Sequence, residues 1–122
     1  MKERIDNIYN KIAELADLNL QRKLWLNEEN NTGFISSYVE LICSLFDDFN
    51  FADFIDITAP KIDLSNTFFS ELNKLRDLLN KYHEKESDLE IINDPEWRKI
   101  VEQANIVLKM WHNFDNLVNE FK

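Results

Sequence analysis

A chain of 122 residues, 44% of them hydrophobic, can fill one modest core but not two, so residues 1–122 are read as a single domain. Its net charge of −9 argues against nucleic acid and against an anionic membrane surface, since both demand clustered Lys and Arg. One glycine and two prolines leave few sites for tight hairpin turns, and the fold class expected is all-α.

The first helix is marked by Ile5, Ile8, Tyr9, Ile12, Leu15 and Ala16, whose spacing of three and four lines one face, and it is expected to run to about Asp17. Leu18, Leu20, Leu24, Trp25 and Leu26 either continue it or form a second short helix. The polar run from Asn27 to Gly33 then makes the first connection. Ser37 followed by Glu40 has capping-box spacing, which predicts a helix from about Tyr38 to Phe46. Phe49 to Ile55 is expected as a separate short helix set at an angle, and Pro60 closes the segment. Asp63 is the expected N-cap of the third main helix, with Leu64, Phe68, Leu72, Leu75, Leu79 and Tyr82 on its apolar face, ending near Glu84. After a charged loop from His83 to Asp88, Asp94 and Pro95 open a last helix as N-cap and first helical residue. It carries the longest stripe, through Trp97, Ile100, Val101, Ala104, Val107, Leu108 and Trp111 and on to Phe114, Val118 and Phe121. Four main helices with short connections pack most simply as an antiparallel bundle, with one or two short additional helices in the first half.

Catalytic and ligand motifs are missing from this pattern. His83 and His112 fall on different expected elements, without a partner at the spacing of a helical zinc pair, so no metal is expected. Gly33 is the single glycine, which rules out a glycine-rich phosphate loop; no cofactor and no enzymatic activity are expected. Cys43 lies in the apolar run Val39, Leu41, Ile42, Leu45 and Phe46, and a buried structural thiol is the expectation. The opening MKERIDNIYNKIAEL is charged and lacks the apolar stretch of a signal peptide, and no segment approaches the roughly 20 apolar residues needed to span a bilayer. A cytoplasmic location follows as the expectation.

One segment stands apart in charge. From Leu24 to Pro60 there is no lysine or arginine, yet Glu28, Glu29, Glu40, Asp47, Asp48, Asp53 and Asp56 are interleaved with Trp25, Phe34, Tyr38, Phe46, Phe49, Phe51 and Phe54. Crowded carboxylates repel one another and do little for folding, so the segment points to a surface kept for a basic partner. Helical phase assigns Phe46, Phe49 and Phe54 to the core and leaves Phe51 off that face, as an exposed anchor. Trp25 is expected to bury against the bundle. Asp47 and Asp48 have three readings: caps or turn formers, partner contacts, or ligands of a divalent metal. The partner-binding set expected is Glu28, Glu29, Asp47, Asp48, Phe51, Asp53 and Asp56.

Several of these elements occur in a familiar order: an amphipathic first helix, a tryptophan before a polar loop, the segment SSYVELICSLFDDFNFADFID, and DPEW opening a long last helix. In that order the chain resembles the small helical immunity proteins encoded beside bacterial toxins, including those of contact-dependent growth inhibition, over roughly residues 25 to 56 and 93 to 111. The resemblance implies a cytosolic protein that binds the toxic C-terminal domain of a neighbouring cell's effector, often a cationic nuclease, and blocks its active site or substrate groove. It implies no contact residues position by position. The other reading of the same features is an acidic helical adaptor, regulatory subunit or phage-encoded inhibitor with a different basic protein partner.

Overall fold

The computed structural model describes the backbone of residues 2–58 and 66–120 and the side chains of residues 3–57 and 66–111. Among these residues the secondary structure is entirely helical, in seven helices, with no strand.

Helix α1 (Lys2–Leu15) buries Ile5, Ile8, Ile12 and Leu15, the expected stripe. It stops two residues early because Asp17 leaves helical geometry (φ −126°, ψ 98°), and its carboxylate accepts the Leu20 N–H at 3.0 Å, capping a new helix, α2 (Leu18–Leu26). The last carbonyls of α1 would otherwise be orphaned in the interior. Gln21, fully buried, donates its side-chain amide to Glu14 O at 3.1 Å and Leu15 O at 2.9 Å, and Asn105 Nδ2 reaches Ala16 O at 3.0 Å. The two alternatives for Leu18–Leu26 are thus decided by one aspartate. Asn27 ends α2 in the left-handed region (φ 57°), which asparagine tolerates.

Ser37 caps α3 (Tyr38–Cys43) as its spacing predicts, accepting Glu40 N–H at 3.0 Å. The helix then widens into a π turn, Ser44–Asp48, closed by Phe49 N–H on Ser44 O at 2.9 Å. Asn50 (φ 49°) breaks the chain, and α4 (Phe51–Asp53) begins, itself widening into a π turn at Phe54–Thr58. Arg4 on α1 holds the break, donating Nε to Phe49 O at 3.1 Å and Nη2 to Asn50 O at 3.0 Å.

Two expectations fail here. Phe51 is fully buried, not an exposed anchor, and meets Phe46 edge-on at 5.8 Å. An α-helical phase carried through 46–54 is invalid, because the π turn adds a residue and the left-handed Asn50 resets the phase. Cys43 is exposed, not buried. Along α3 and the π turn that follows, Leu41 and Leu45 point inward with Ile42 and Phe46 beside them, which leaves Val39 and Cys43, four residues apart, on the outer face.

Helix α5 (Asn66–Lys81) buries Phe68, Leu72, Leu75 and Leu79, and ends three residues before the expected Glu84. The expected cap Asp63, with Pro60 and Leu64, lies outside the described residues. A short helix not foreseen, α6 (Asp88–Ile92), is capped by Ser87 on Glu90 N–H at 3.2 Å and buries Ile91 and Ile92. In the linker to α7 (Pro95–Glu120), Asp94 accepts Glu96 N–H on its side chain at 3.1 Å and Arg98 N–H on its carbonyl at 3.1 Å. Trp97, Ile100, Val101, Ala104, Val107 and Trp111 are buried on α7 and Leu108 is half-buried, while the side chains of Phe114 and Val118, and Phe121, lie outside the described residues.

Helix α7 packs against α5 and α1, and α2 against α6. Two aromatic clusters punctuate the core. Trp111 is met at 5.7 Å by each of Tyr9, Phe54 and Phe68, with Phe54 stacked on it. Further along α7, Trp97 gathers Trp25, Tyr38 and Tyr82 at 5.2–5.9 Å. Trp97 also donates its indole N–H to Gln21 Oε1 at 2.9 Å, so the amide that closes α1 also ties α2 to α7.

Candidate interaction surface

The expected partner-binding residues fall in two places. Glu28 and Glu29 sit on the loop after α2, both exposed, with Glu29 in the left-handed region (φ 47°). Glu28 Oε2 lies 4.0 Å from Arg22 Nη1. Asp47 and Asp48 lie on the first π turn, Asp53 on α4 and Asp56 on the second π turn, all exposed. Helix α4 packs on the first π turn, so these four carboxylates share one folded unit.

Within that unit the charges differ. Asp56 accepts Arg76 Nη1 from α5 at 2.8 Å, which relieves its charge locally. The carboxylates of Asp47, Asp48 and Asp53 make no hydrogen bond and no ion pair among the described residues. The capping reading of Asp47 and Asp48 therefore fails: the helix starts in this region are served by Ser37 and by the Asn50 break. The acidic segment is also less isolated than its sequence implies, because Arg4, Arg22 and Arg76 reach it from three other places in the chain.

A second feature lies beside the first loop and escaped sequence reasoning. Glu14, in mid-stripe on α1, is only 6% exposed, and its Oε2 accepts Trp25 Nε1 at 3.0 Å and Ser36 Oγ at 2.9 Å. Its partners are 11 and 22 residues away. Outside it, Phe34 and Ile35 stand 72% and 76% exposed. The signal was an apolar pair directly after Gly33, with no helical phase to bury it.

Across the Trp97 cluster, Tyr82 donates to Asp94 Oδ2 at 2.8 Å, and Lys85 Nζ lies 3.9 Å from the same oxygen. This hydrogen bond, helped by the Glu96 amide and Lys85, holds the Asp94 carboxyl below its ordinary range. Burial and the same aspartate push the Tyr82 phenol up. Tyr38 is raised too, by burial and then by Glu84. Glu71 is lowered, first by the Gln103 amide at 2.6 Å from its Oε2. Glu71 and Gln103 stitch α5 to α7, and Tyr82, just past α5, is tied to the linker before α7. Among the described residues, no three His, Cys, Asp or Glu side chains converge to hold a metal, and no helix is long and apolar enough to cross a membrane.

With this geometry in view, the chain was compared with protein-family models, curated proteins and solved structures, and none of the three comparisons finds a match.

Proposed function

We propose that this chain is a toxin-immunity protein that acts by binding, without chemistry of its own, and that a basic toxin domain docks on the unit carrying Asp47, Asp48 and Asp53. The observation that carries this reading is that three exposed carboxylates on one packed unit have no partner among the described residues. They add mutual repulsion and no fold-stabilising contact, which is what a surface matched to an external cation would show. The resemblance in the order of elements supports the toxin assignment, and the acidic charge suits a nuclease, whose active surface must attract phosphate. Asp56 on the same unit, and Glu28 and Glu29 on the loop after α2, would add long-range attraction. Packing of α7 against both α1 and α5 supports an antiparallel bundle arrangement of the longer helices. A cytoplasmic site of action belongs to the same reading.

The test uses the toxic domain encoded by the neighbouring reading frame. Asp47→Asn, Asp48→Asn and Asp53→Asn, combined, are expected to slow its association most at low salt, where screening is weakest. Association that is unchanged at low and at high salt overturns the reading.

A further inference from the structure

The loop between α2 and α3 is tied down along its length. Asn30 Oδ1 accepts Thr32 N at 3.1 Å and Thr32 Oγ1 at 2.6 Å, Asn30 Nδ2 donates to Phe34 O at 2.6 Å, and Ser36 N donates to Leu24 O at 2.9 Å. Gly33 supplies the left-handed turn (φ 82°) that a side chain would strain. Those constraints hold Phe34 and Ile35 out in water, an arrangement that costs hydrophobic free energy and gains nothing in the isolated chain. Beneath them is a cleft of about 330 Å³ that Glu14 lines, with Glu40 exposed in its wall.

Glu14 is unevenly satisfied. Oε2 takes two hydrogen bonds, while the nearest cation to Oε1 is Lys11 Nζ at 4.0 Å, beyond hydrogen-bond reach. Oε1, held only in a long ion pair with Lys11, has room for a closer cationic donor, and a charge-assisted hydrogen bond there would add to the two on Oε2.

We propose that this cleft receives an arginine or lysine side chain from a partner protein, the cation on Glu14 Oε1 and the residues beside it on Phe34 and Ile35. The occupant follows from charge complementarity: two carboxylates line the cleft against one lysine, and large apolar groups frame it. A loop already ordered limits the entropy lost on docking, which is how a small anchor site comes to dominate an interface. The inference rests on the reading that the chain binds a basic protein, and it names a centre for that interface built from residues other than the three aspartates.

The probe is the peptide acetyl-Leu-Arg-Phe-amide, titrated into the full-length, isotope-labelled chain, with the isosteric neutral citrulline peptide as control. The indole N–H of Trp25, hydrogen-bonded to Glu14, reports on the cleft floor. A saturable shift of that resonance and of the Phe34 and Ile35 amides is expected, with affinity at least tenfold weaker for the citrulline peptide. Glu14→Gln keeps an acceptor for Trp25 and should weaken binding to the same degree. Phe34→Ser with Ile35→Ser, two exposed positions whose change leaves the fold intact, should do likewise. Lys11→Gln, removing the competing cation, should tighten it. No saturable shift, equal binding of the citrulline peptide, or shifts centred away from the cleft each overturn the proposal. Its failure is separable from that of the immunity reading. If the neighbouring toxin domain binds Glu14→Gln as it binds wild type but is slowed by the Asp47, Asp48 and Asp53 changes, the cleft falls and the immunity reading stands. If the arginine peptide seats in the cleft and the toxin domain does not bind at all, the cleft stands and the immunity reading falls.

Discussion

Helix α7 and the α3–α4 segment are both rich in large apolar side chains, yet they bury them by different rules. On α7 an unbroken 3.6-residue period carries Trp97, Ile100, Ala104, Val107 and Trp111 to the core in register. In α3–α4 two π turns and a left-handed asparagine shift the phase twice within about twenty residues, and burial follows the local break instead. Periodicity therefore assigns faces only while the helix keeps its hydrogen-bond register. The same breaks leave Asp47, Asp48 and Asp53 on the outside, so the least regular part of the chain is also the part with charge to spare.

The largest test of this contrast compares Trp111→Ala with Phe51→Ala. Both side chains are fully buried, so each substitution is expected to cost about 3–5 kcal/mol, enough to unfold a domain of this size or lower its melting temperature by many degrees. A Phe51 variant that melts like wild type would restore the α-helical phase through the segment and return Phe51 to the surface.

Next in size are the caps. Asp17→Ala removes the acceptor of the Leu20 N–H and should lower stability by about 0.5–2 kcal/mol in chemical denaturation, and Ser37→Ala by a similar amount. If Asp17→Ala left the midpoint unmoved, the separation of α1 from α2 would have to rest on Gln21 and Asn105.

Tyr82→Phe probes the region around α7, where the phenol is the strongest of the groups that hold the carboxylate of the linker residue Asp94. Without that hydrogen bond the Asp94 carboxyl should titrate closer to its ordinary value of 3.8, followed by carboxyl-carbon NMR. The sign follows from linkage: a carboxyl lowered in the folded state stabilises above its unfolded value, and that contribution is lost as pH falls below 3.8 towards the folded value. Wild type should therefore be more sensitive than Tyr82→Phe to acid below about pH 4. Equal acid sensitivity would mean that the phenol does not hold the carboxylate.

Much of the fold was legible because it is local. The stripes of α1, α5 and α7 and the caps at Ser37 and Asp94 depend on residues a few positions apart, and their described members recur in the structure, save that Tyr82 falls just past the end of α5. Helix α6 was also written locally, in Ser87 and Glu90 ahead of Ile91 and Ile92, and went unread beside the stronger signal of Asp94 and Pro95. What sequence could not carry was action at a distance. Arg4 fixes a break 45 residues away, Trp25 and Ser36 converge on Glu14, and Trp97 meets Gln21 across 76 residues. The candidate site divides along the same line: the exposed aspartates could be named from composition, while the buried carboxylate behind Phe34 needed the fold.

The smallest expected effect is the most informative about the two regions. If Asp47, Asp48 and Asp53 stand free on the π-helical segment, then Asp→Asn at each should change stability by no more than about 0.5 kcal/mol, the range of surface positions without special roles. Relief of mutual repulsion would make any change a gain, largest at low ionic strength, where exposed charges are least screened. Asp56→Asn differs, because it gives up an ion pair with Arg76 and should show a small loss in the same measurement. Denaturant midpoints for the four variants at low and high salt therefore carry a signature: three at or above wild type and one slightly below. If Asp47→Asn or Asp48→Asn instead falls by as much as Asp17→Ala, the π turn depends on those carboxylates for its geometry, and the charge to spare would be structural after all.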